Sequence, residues 1–165
     1  CLIDKWIRIN SDKAYDNEGS IAKSGTVNKI ILNQSLDNFY HNDISKKRSY
    51  DTKDFDLSFV RGLSLQDGAA TLIEFTAQIL SKKNFHKNIY VSGGGRKNKF
   101  LLESIEKAAN RKIKLIDDLE IDGDFVESQA FAYLAIRSYL KLPISFPETT
   151  GVQKPCSGGT IINIK

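Results

Sequence analysis

The stretch Ile89-Tyr90-Val91-Ser92-Gly93-Gly94-Gly95-Arg96-Lys97-Asn98 decides how this chain is read. Ile89 to Val91 is a short apolar run of β type, and Ser92 to Gly95 punctuates it. Asn98 then opens a segment to about Asn110 in which Leu101, Leu102, Ile105 and Ala108 point inward at helical spacing, and a second apolar run, Ile113 to Ile116, comes next. A strand, a helix and a strand joined by more than about a dozen residues form a crossover, not a hairpin, so the two strands are predicted to run parallel. The fold class is α/β, helix-rich with a small, partly parallel sheet.

Working outward, the acidic loop from Asp117 to Asp124 leads into a strongly apolar helix, Phe125 to Leu140, ended by Leu142-Pro143. Pro147 and Pro155 bracket a turn-rich segment, and Thr160 to Ile164 reads as a final strand. Upstream, Ser64 with Asp67 makes a variant capping box. Leu65, Ala69, Leu72, Ile73, Thr76, Ile79 and Leu80 then repeat at i, i+4, i+7 and i+8, giving the best-defined helix of the chain. Thr26 is predicted to cap a helix through about Leu36, and the polar stretch from Asp37 to Asp56 is predicted to be a long exposed loop, of a length that implies function or mobility. Its Lys46-Lys47-Arg48 run reads as a solvated face, with a phosphate or nucleic-acid role as the alternative. Asp16-Asn17-Glu18-Gly19 looks like a calcium loop but fails on spacing: with Gly19 sixth, Ala14 and Gly25 would stand where oxygen donors are needed. A turn before a short helix is expected there. At the start, Leu2, Ile3, Trp6, Ile7 and Ile9 already follow amphipathic spacing with no capping residue ahead of them, and there is no Met anywhere. The chain is therefore expected to begin inside an element, as one lobe or fragment of a longer protein.

Composition narrows the class. A chain of 165 residues with 41% hydrophobic and 27% charged side chains fits one globular domain, and at this size it buries enough surface to need no disulfide or metal. No apolar run of about 18 residues and no signal-peptide pattern is present, so no membrane span is expected and the cytoplasm is the expected compartment. The net charge of +4 is interspersed along the chain, and the aromatic residues are expected mostly on core faces, which argues against a nucleic-acid partner. Cys1 and Cys156 lack metal-ligand spacing and read as free thiols. With 2 His in the chain a structural zinc site lacks ligands. Asp117, Asp118 and Asp124 read as solvated or capping, so no metal site is assigned, and His41 and His86 complete no Ser-His-Asp or Cys-His set.

Two features carry candidate chemistry. Glycine costs roughly 0.5–1 kcal/mol relative to Ala where no special backbone geometry is needed. Three in a row between strand and helix therefore point to close approach by a base or phosphate at the carboxyl end of a parallel strand, or to a plain tight turn. On pattern alone both readings stand. A Walker loop is excluded because Gly-Lys-Ser/Thr is missing, and a dinucleotide fingerprint because Asn98 stands where glycine is required. Arg96 and Lys97 either touch nucleotide phosphates or are exposed. The second feature is Glu127, one carboxylate in a helix with Ala130, Phe131, Leu134 and Ala135. The helix reads as buried, so the carboxylate must face a cleft, a donor or a substrate, while its first-turn position offers stabilisation by the helix dipole instead.

The segment Val91-Ser92-Gly93-Gly94-Gly95-Arg96-Lys97-Asn98 resembles the adenosine motif of the actin, hexokinase and sugar-kinase superfamily. Gly123-Asp124-Phe125-Val126-Glu127-Ser128-Gln129-Ala130-Phe131-Ala132-Tyr133-Leu134-Ala135 is similar to the signature of one family within it, the anhydro-N-acetylmuramic acid kinases. The tail resembles that family's ending, with Leu142-Pro143, Phe146-Pro147-Glu148-Thr149-Thr150-Gly151-Val152 and Gly158-Gly159-Thr160-Ile161-Ile162. Arg48-Ser49-Tyr50-Asp51-Thr52-Lys53-Asp54-Phe55 is also similar, although the family more often has Pro-Lys-Ser there and an Arg where Thr52 stands.

The resemblance implies the incomplete C-terminal lobe of an actin-like, ribonuclease H-like ATPase fold, with a sheet edge left unpaired. It implies a kinase that uses ATP and Mg2+ to open the anhydro bond of the sugar with water and phosphorylate O6 in cell-wall recycling, and that is a homodimer at full length. Ser92, Gly93, Gly94, Gly95 and Asn98 would hold adenosine, and Glu127 would contact the sugar. The family's catalytic aspartate lies in a Phe-Asp-Thr-Gly-Pro-Gly-Asn type motif. That motif is expected upstream of Cys1, because Cys1-Leu2-Ile3-Asp4-Lys5-Trp6 resembles the segment that the family carries directly after it. No catalytic residue is expected in this chain. The alternative is a non-catalytic nucleotide-binding or scaffolding module of the same superfamily.

Overall fold

The computed structural model describes residues 2–42, 55–82 and 88–162. They form two units, Cys1–Leu115 and Ile116–Lys165.

The first unit is arranged around one helix. In order it contains α1 (Leu2–Asn10), α2 (Ser20–Lys23), α3 (Lys29–Asn42), α4 (Leu65–Ser81), β1 (Ile89–Val91), α5 (Lys99–Ala109) and β2 (Ile113–Leu115). α4 starts as its capping box predicts, with the Ser64 hydroxyl accepting from the Asp67 amide at 3.0 Å. Gly68, Ala69, Ala70, Leu72, Ile73, Phe75, Ala77 and Ile79 are all buried, so this helix is covered on several sides by α1, α2, α3 and α5. Small residues allow the close approach. The Trp6 ring of α1 lies directly against Gly68, and its Nε1 donates to the Leu65 carbonyl at 2.9 Å.

The main core joins Ile3, Trp6 and Ile7 of α1 to Leu72 and Ile73 of α4 and Leu101 and Ile105 of α5. Each such side chain contributes about 1.5–3 kcal/mol on burial. A second cluster sets Leu32 and Leu36 of α3 on Phe75 and Ile79, with Phe39 stacked on Phe55 at 5.8 Å and Phe59 tilted on Phe75 at 5.0 Å.

β1 and β2 pair in parallel, with Ile89 opposite Ile113, Tyr90 opposite Lys114 and Val91 opposite Leu115, as the crossover requires. α5 is the crossover helix. Asn98 caps its start and Asn110, left-handed at φ 49°, ends it. Glu106 then ties the helix to the second strand by accepting from the Ile113 amide at 2.9 Å and from Lys112 Nζ at 2.9 Å.

Two expectations upstream change. The cap of α3 is Asn28, whose Oδ1 accepts from the Ile31 amide at 3.1 Å; Thr26 instead donates its own amide to Asp67 at 2.7 Å. α3 also runs to Asn42, so residues 37–42 are helix and not loop. The cause is an apolar stripe, Leu32, Leu36, Phe39 and Tyr40, which continues beneath the polar composition and packs on α4. The rest of the expected loop through Asp54, including Lys46-Lys47-Arg48, lies outside the described residues, as do Cys1 and His86. The short helix α2 comes after the polar turn, and the buried carboxylate of Asp16 caps it by accepting from the amides of Ile21 at 2.8 Å and Ala22 at 3.0 Å.

The second unit holds α6 (Val126–Tyr139) and α7 (Pro147–Thr150). α6 lies where its sequence places it, but none of its residues is buried; Phe131 is 64% and Tyr139 72% exposed. Its apolar residues are distributed all round the helix, and within the unit it is held at its C-terminal end. There Arg137 Nε donates to the Pro143 carbonyl at 2.6 Å and the Ser138 hydroxyl to the Gly158 carbonyl. Tyr133, Phe131, Phe125 and Tyr139 are therefore exposed aromatic residues, with Tyr15 and Tyr90 of the first unit, against the expectation that aromatics lie on core faces. The expected strand Thr160 to Ile164 is not formed over its described residues 160–162. A strand needs a hydrogen-bonded neighbour, and the pairing in this segment is instead the single antiparallel bridge of Ser145 with Cys156. Cys156 is a free, exposed thiol.

Candidate functional site

The chain leaves the carboxyl end of β1 through Ser92 and reaches Gly93 at φ 75°, ψ −177°, a conformation essentially restricted to glycine. Gly94 to Lys97 form one 3₁₀ turn, and Asn98 ends it in extended conformation. The turn is closed by the Arg96 amide on the Gly93 carbonyl at 3.2 Å and the Asn98 amide on the Gly95 carbonyl at 3.1 Å. Arg96 also folds back, Nη1 donating to the Gly93 carbonyl at 3.1 Å. Asn98 Oδ1 accepts from the Leu101 amide at 2.9 Å, which fixes the first turn of α5.

The three glycines differ in what the fold asks of them. Gly93 is required by its backbone angles. Gly94 and Gly95 have ordinary negative φ. Among the described residues a Cβ at Gly94 would meet nothing within 4 Å, and one at Gly95 only Leu101 Cδ2 at 3.9 Å. The turn thus presents bare main chain at the end of a parallel strand and the start of a capped helix.

Glu127 lies in the second unit, in the first turn of α6, with its side chain exposed. The helix is not buried, so the desolvation argument for a forced partner does not apply, and the dipole accounts for a carboxylate at this position. In the acidic loop Asp117 Oδ1 accepts from the Gly123 amide at 3.4 Å and Asp122 Oδ1 from the Asp124 amide at 2.9 Å. Among the described residues no three His, Cys, Asp or Glu side chains converge as a metal site. An open charged groove lined by Glu103, Glu106, Lys107 and Arg111 lies towards the far end of α5 from the glycine turn.

Sequence reasoning missed the support of the turn. Gly19 sits against Asn98, and the ion pair of Glu18 Oε1 with Lys99 Nζ at 2.8 Å fastens the same corner. The segment is the turn before a short helix that the sequence predicts, but no local pattern links Glu18-Gly19 to Asn98 and Lys99 far along the chain.

A parallel strand pair joined through a glycine turn and a capped crossover helix places this chain in the α/β class. Comparison with known proteins narrows that class. A family model described as anhydro-N-acetylmuramic acid kinase matches residues 1–164, and the chain belongs to that family. It is 50% identical to the anhydro-N-acetylmuramic acid kinase of Pelagibacter ubique over 98% of this chain and 46% of the relative. It is 40% identical to that of Rhizorhabdus wittichii over 96% of this chain and 44% of the relative, and 36% identical to that of Zymomonas mobilis over 97% and 45%. The chain thus spans about half the length of the curated relatives it matches. Among the described residues no helix is long and apolar enough to cross a membrane.

Proposed function

We propose that this chain is the C-terminal, ATP-binding lobe of an actin-like kinase. The whole enzyme hydrolyses the anhydro bond of 1,6-anhydro-N-acetylmuramic acid and phosphorylates O6, giving N-acetylmuramic acid 6-phosphate for cell-wall recycling in the cytoplasm. The single observation that carries the ATP assignment is Gly94: among the described residues its missing side chain serves no contact and no backbone angle, which supports an external use. Family membership supplies the reaction and the sugar, and relatives of about twice the length support the reading of this chain as one lobe.

In this reading the main chain of Gly93, Gly94 and Gly95 lies beside the adenine and ribose, Ser92 borders them, and Asn98 fixes the helix start on which the turn depends. ATP supplies the phosphoryl group. Glu127 contacts the sugar and orients its bridge. Mg2+ in such chemistry is held by phosphates, waters and one or two carboxylates; no residue of this chain is assigned to it. The general base that activates water belongs to the aspartate motif expected outside this chain, and the whole enzyme acts as a homodimer. Losing such a base typically forfeits roughly 10²–10⁴ in rate, and losing the opposing phosphate clamp as well takes activity below detection.

The test is a coupled ADP-release assay with 1,6-anhydro-N-acetylmuramic acid, run on the 165-residue chain and on the complete polypeptide its gene encodes. The expected result is sugar-dependent turnover by the complete polypeptide and none by the 165-residue chain. Turnover by the short chain would place the catalytic group within it and overturn the assignment. ATP binding by the complete polypeptide without turnover would favour the non-catalytic nucleotide-binding module.

A further inference from the structure

We infer that Gly19 is a positioning residue for the nucleotide turn, acting through Asn98. The inference rests on the adenosine reading of that turn and deepens it. Glu18 and Gly19 are both left-handed, at φ 53° and 78°, and Gly19 is buried. Left-handed non-glycine residues are uncommon, so this bend is held against local preference. The Gly19 amide donates to the Asp16 carbonyl at 3.2 Å, the Asp16 carboxylate caps α2, and Glu18 Oε1 pairs with Lys99 Nζ at 2.8 Å.

What this bend presses against is specific. A Cβ on Gly19 would strike the side-chain oxygen of Asn98 and come within 2.6 Å of Phe100 Cβ. The Asn98 amide group is thus confined between the Gly19 main chain on one side and the Leu101 amide, 2.9 Å from its Oδ1, on the other. Among the described residues, chain neighbours aside, a Cβ at Gly93 or Gly94 would meet nothing within 4 Å, so beyond its own hydrogen bonds the turn is held through its ends: β1 before it and Asn98 after it. Moving Asn98 moves the bare main chain that receives the base, and a shift beyond about 0.5 Å at a preorganised site weakens binding. The left-handed bend therefore does more than pack α2 on α5.

The experiment uses the complete polypeptide, with ATP and sugar dissociation constants measured separately by calorimetry on folded protein. Gly19→Ala is expected to weaken ATP at least tenfold and sugar less than twofold. Asn98→Ser added to it keeps a helix cap on a shorter side chain, and is expected to recover at least threefold of the ATP loss. Gly68→Ala, which wedges Trp6 in the same unit, is expected to lower the melting temperature without moving either constant. A Gly19→Ala protein that melts lower but binds ATP normally would overturn the inference, as would a protein left unfolded with or without Asn98→Ser. Gly94→Val separates the two readings. If Gly94→Val leaves ATP binding intact the adenosine site itself is wrong, whereas loss with Gly94→Val but not with Gly19→Ala removes the positioning role alone.

Discussion

Replacing Gly94 with Val separates a ligand site from a plain turn, because the protein itself is indifferent to the change. The φ of Gly94 is ordinary, and among the described residues, chain neighbours aside, its added Cβ would meet no atom within 4 Å. Restricting the unfolded chain at a compatible glycine stabilises by about 0.4–1 kcal/mol for alanine, and valine's stiffness in a helical turn offsets part of that. Stability should therefore stay within the roughly ±0.5 kcal/mol of an ordinary surface substitution, leaving the melting temperature nearly unchanged. The ligand is not indifferent. Three added carbons in a space filled by a base act as overpacking, costing about 1–3 kcal/mol, which is a loss of about 5- to 150-fold in ATP affinity. Calorimetry of the complete polypeptide with ATP and with the anhydro-sugar, beside a thermal melt, reads all three quantities. The expected pattern is ATP weakened, sugar unchanged and melting unchanged. Equal losses for both ligands with a lower melting temperature would mean a folding defect, and unchanged ATP binding would reduce the glycine turn to a connection.

Other outcomes rest on particular contacts. Glu127→Gln should raise the KM for the sugar about tenfold, the effect of one charge-assisted hydrogen bond, while ATP affinity stays constant; an unchanged KM would leave the helix dipole as the residue's whole role. Gly68→Ala drives a methyl into the Trp6 ring and should destabilise the first unit by about 1–3 kcal/mol, read by melting and tryptophan fluorescence, and a neutral result would show that α1 can slide on α4. Stability should fall on acidification. The Ile113 amide and then Lys112 hold the Glu106 carboxyl below its ordinary value, and the Thr26 amide and then the Ser64 hydroxyl do the same for Asp67. A depressed folded pKa contributes stability that is complete above the unfolded value and is lost as pH falls through the folded one, from about pH 4.3 downward. Denaturant titrations across that range should show a shallower decline in the double variant Glu106→Gln, Asp67→Asn, and an unaltered slope would mean that these two groups do not carry the acid sensitivity.

Local signals in the sequence are strong wherever the structure is local. The Ser64 cap, the helical repeat of α4, and the order of strand, glycine turn, helix and parallel strand are all determined by neighbours within a few residues, and they appear at the expected positions. α3 shows what competes with such signals. Asn, Asp and His between Leu36 and Asn42 give a loop-like composition, yet Phe39 and Tyr40 extend the stripe of Leu32 and Leu36 onto Phe75, and tertiary packing decides. The cap falls on Asn28 and not on Thr26 for a related reason: the Thr26 amide is held by Asp67, far along the chain. α6 is legible as a helix but not in its environment. A helix apolar on all sides reads as buried, but burial depends on what covers it, which no periodicity encodes, and in its own unit nothing encloses Phe131 or Tyr139.

The candidate site shows a sharper form of the same division. In the sequence Gly93, Gly94 and Gly95 are indistinguishable, and each carries the same cost in conformational freedom. The structure accounts for the first through its backbone angles, as it accounts for Gly68 through the Trp6 ring. An accounted-for glycine carries no functional information, because folding alone would keep it there. Gly94 is different, since neither its φ nor any neighbour asks for the absence of a side chain. The residue that says most about the proposed ATP site is therefore the one the fold needs least, and it stands between the end of β1 and the capped start of α5, where strand-end ligands of parallel sheets bind.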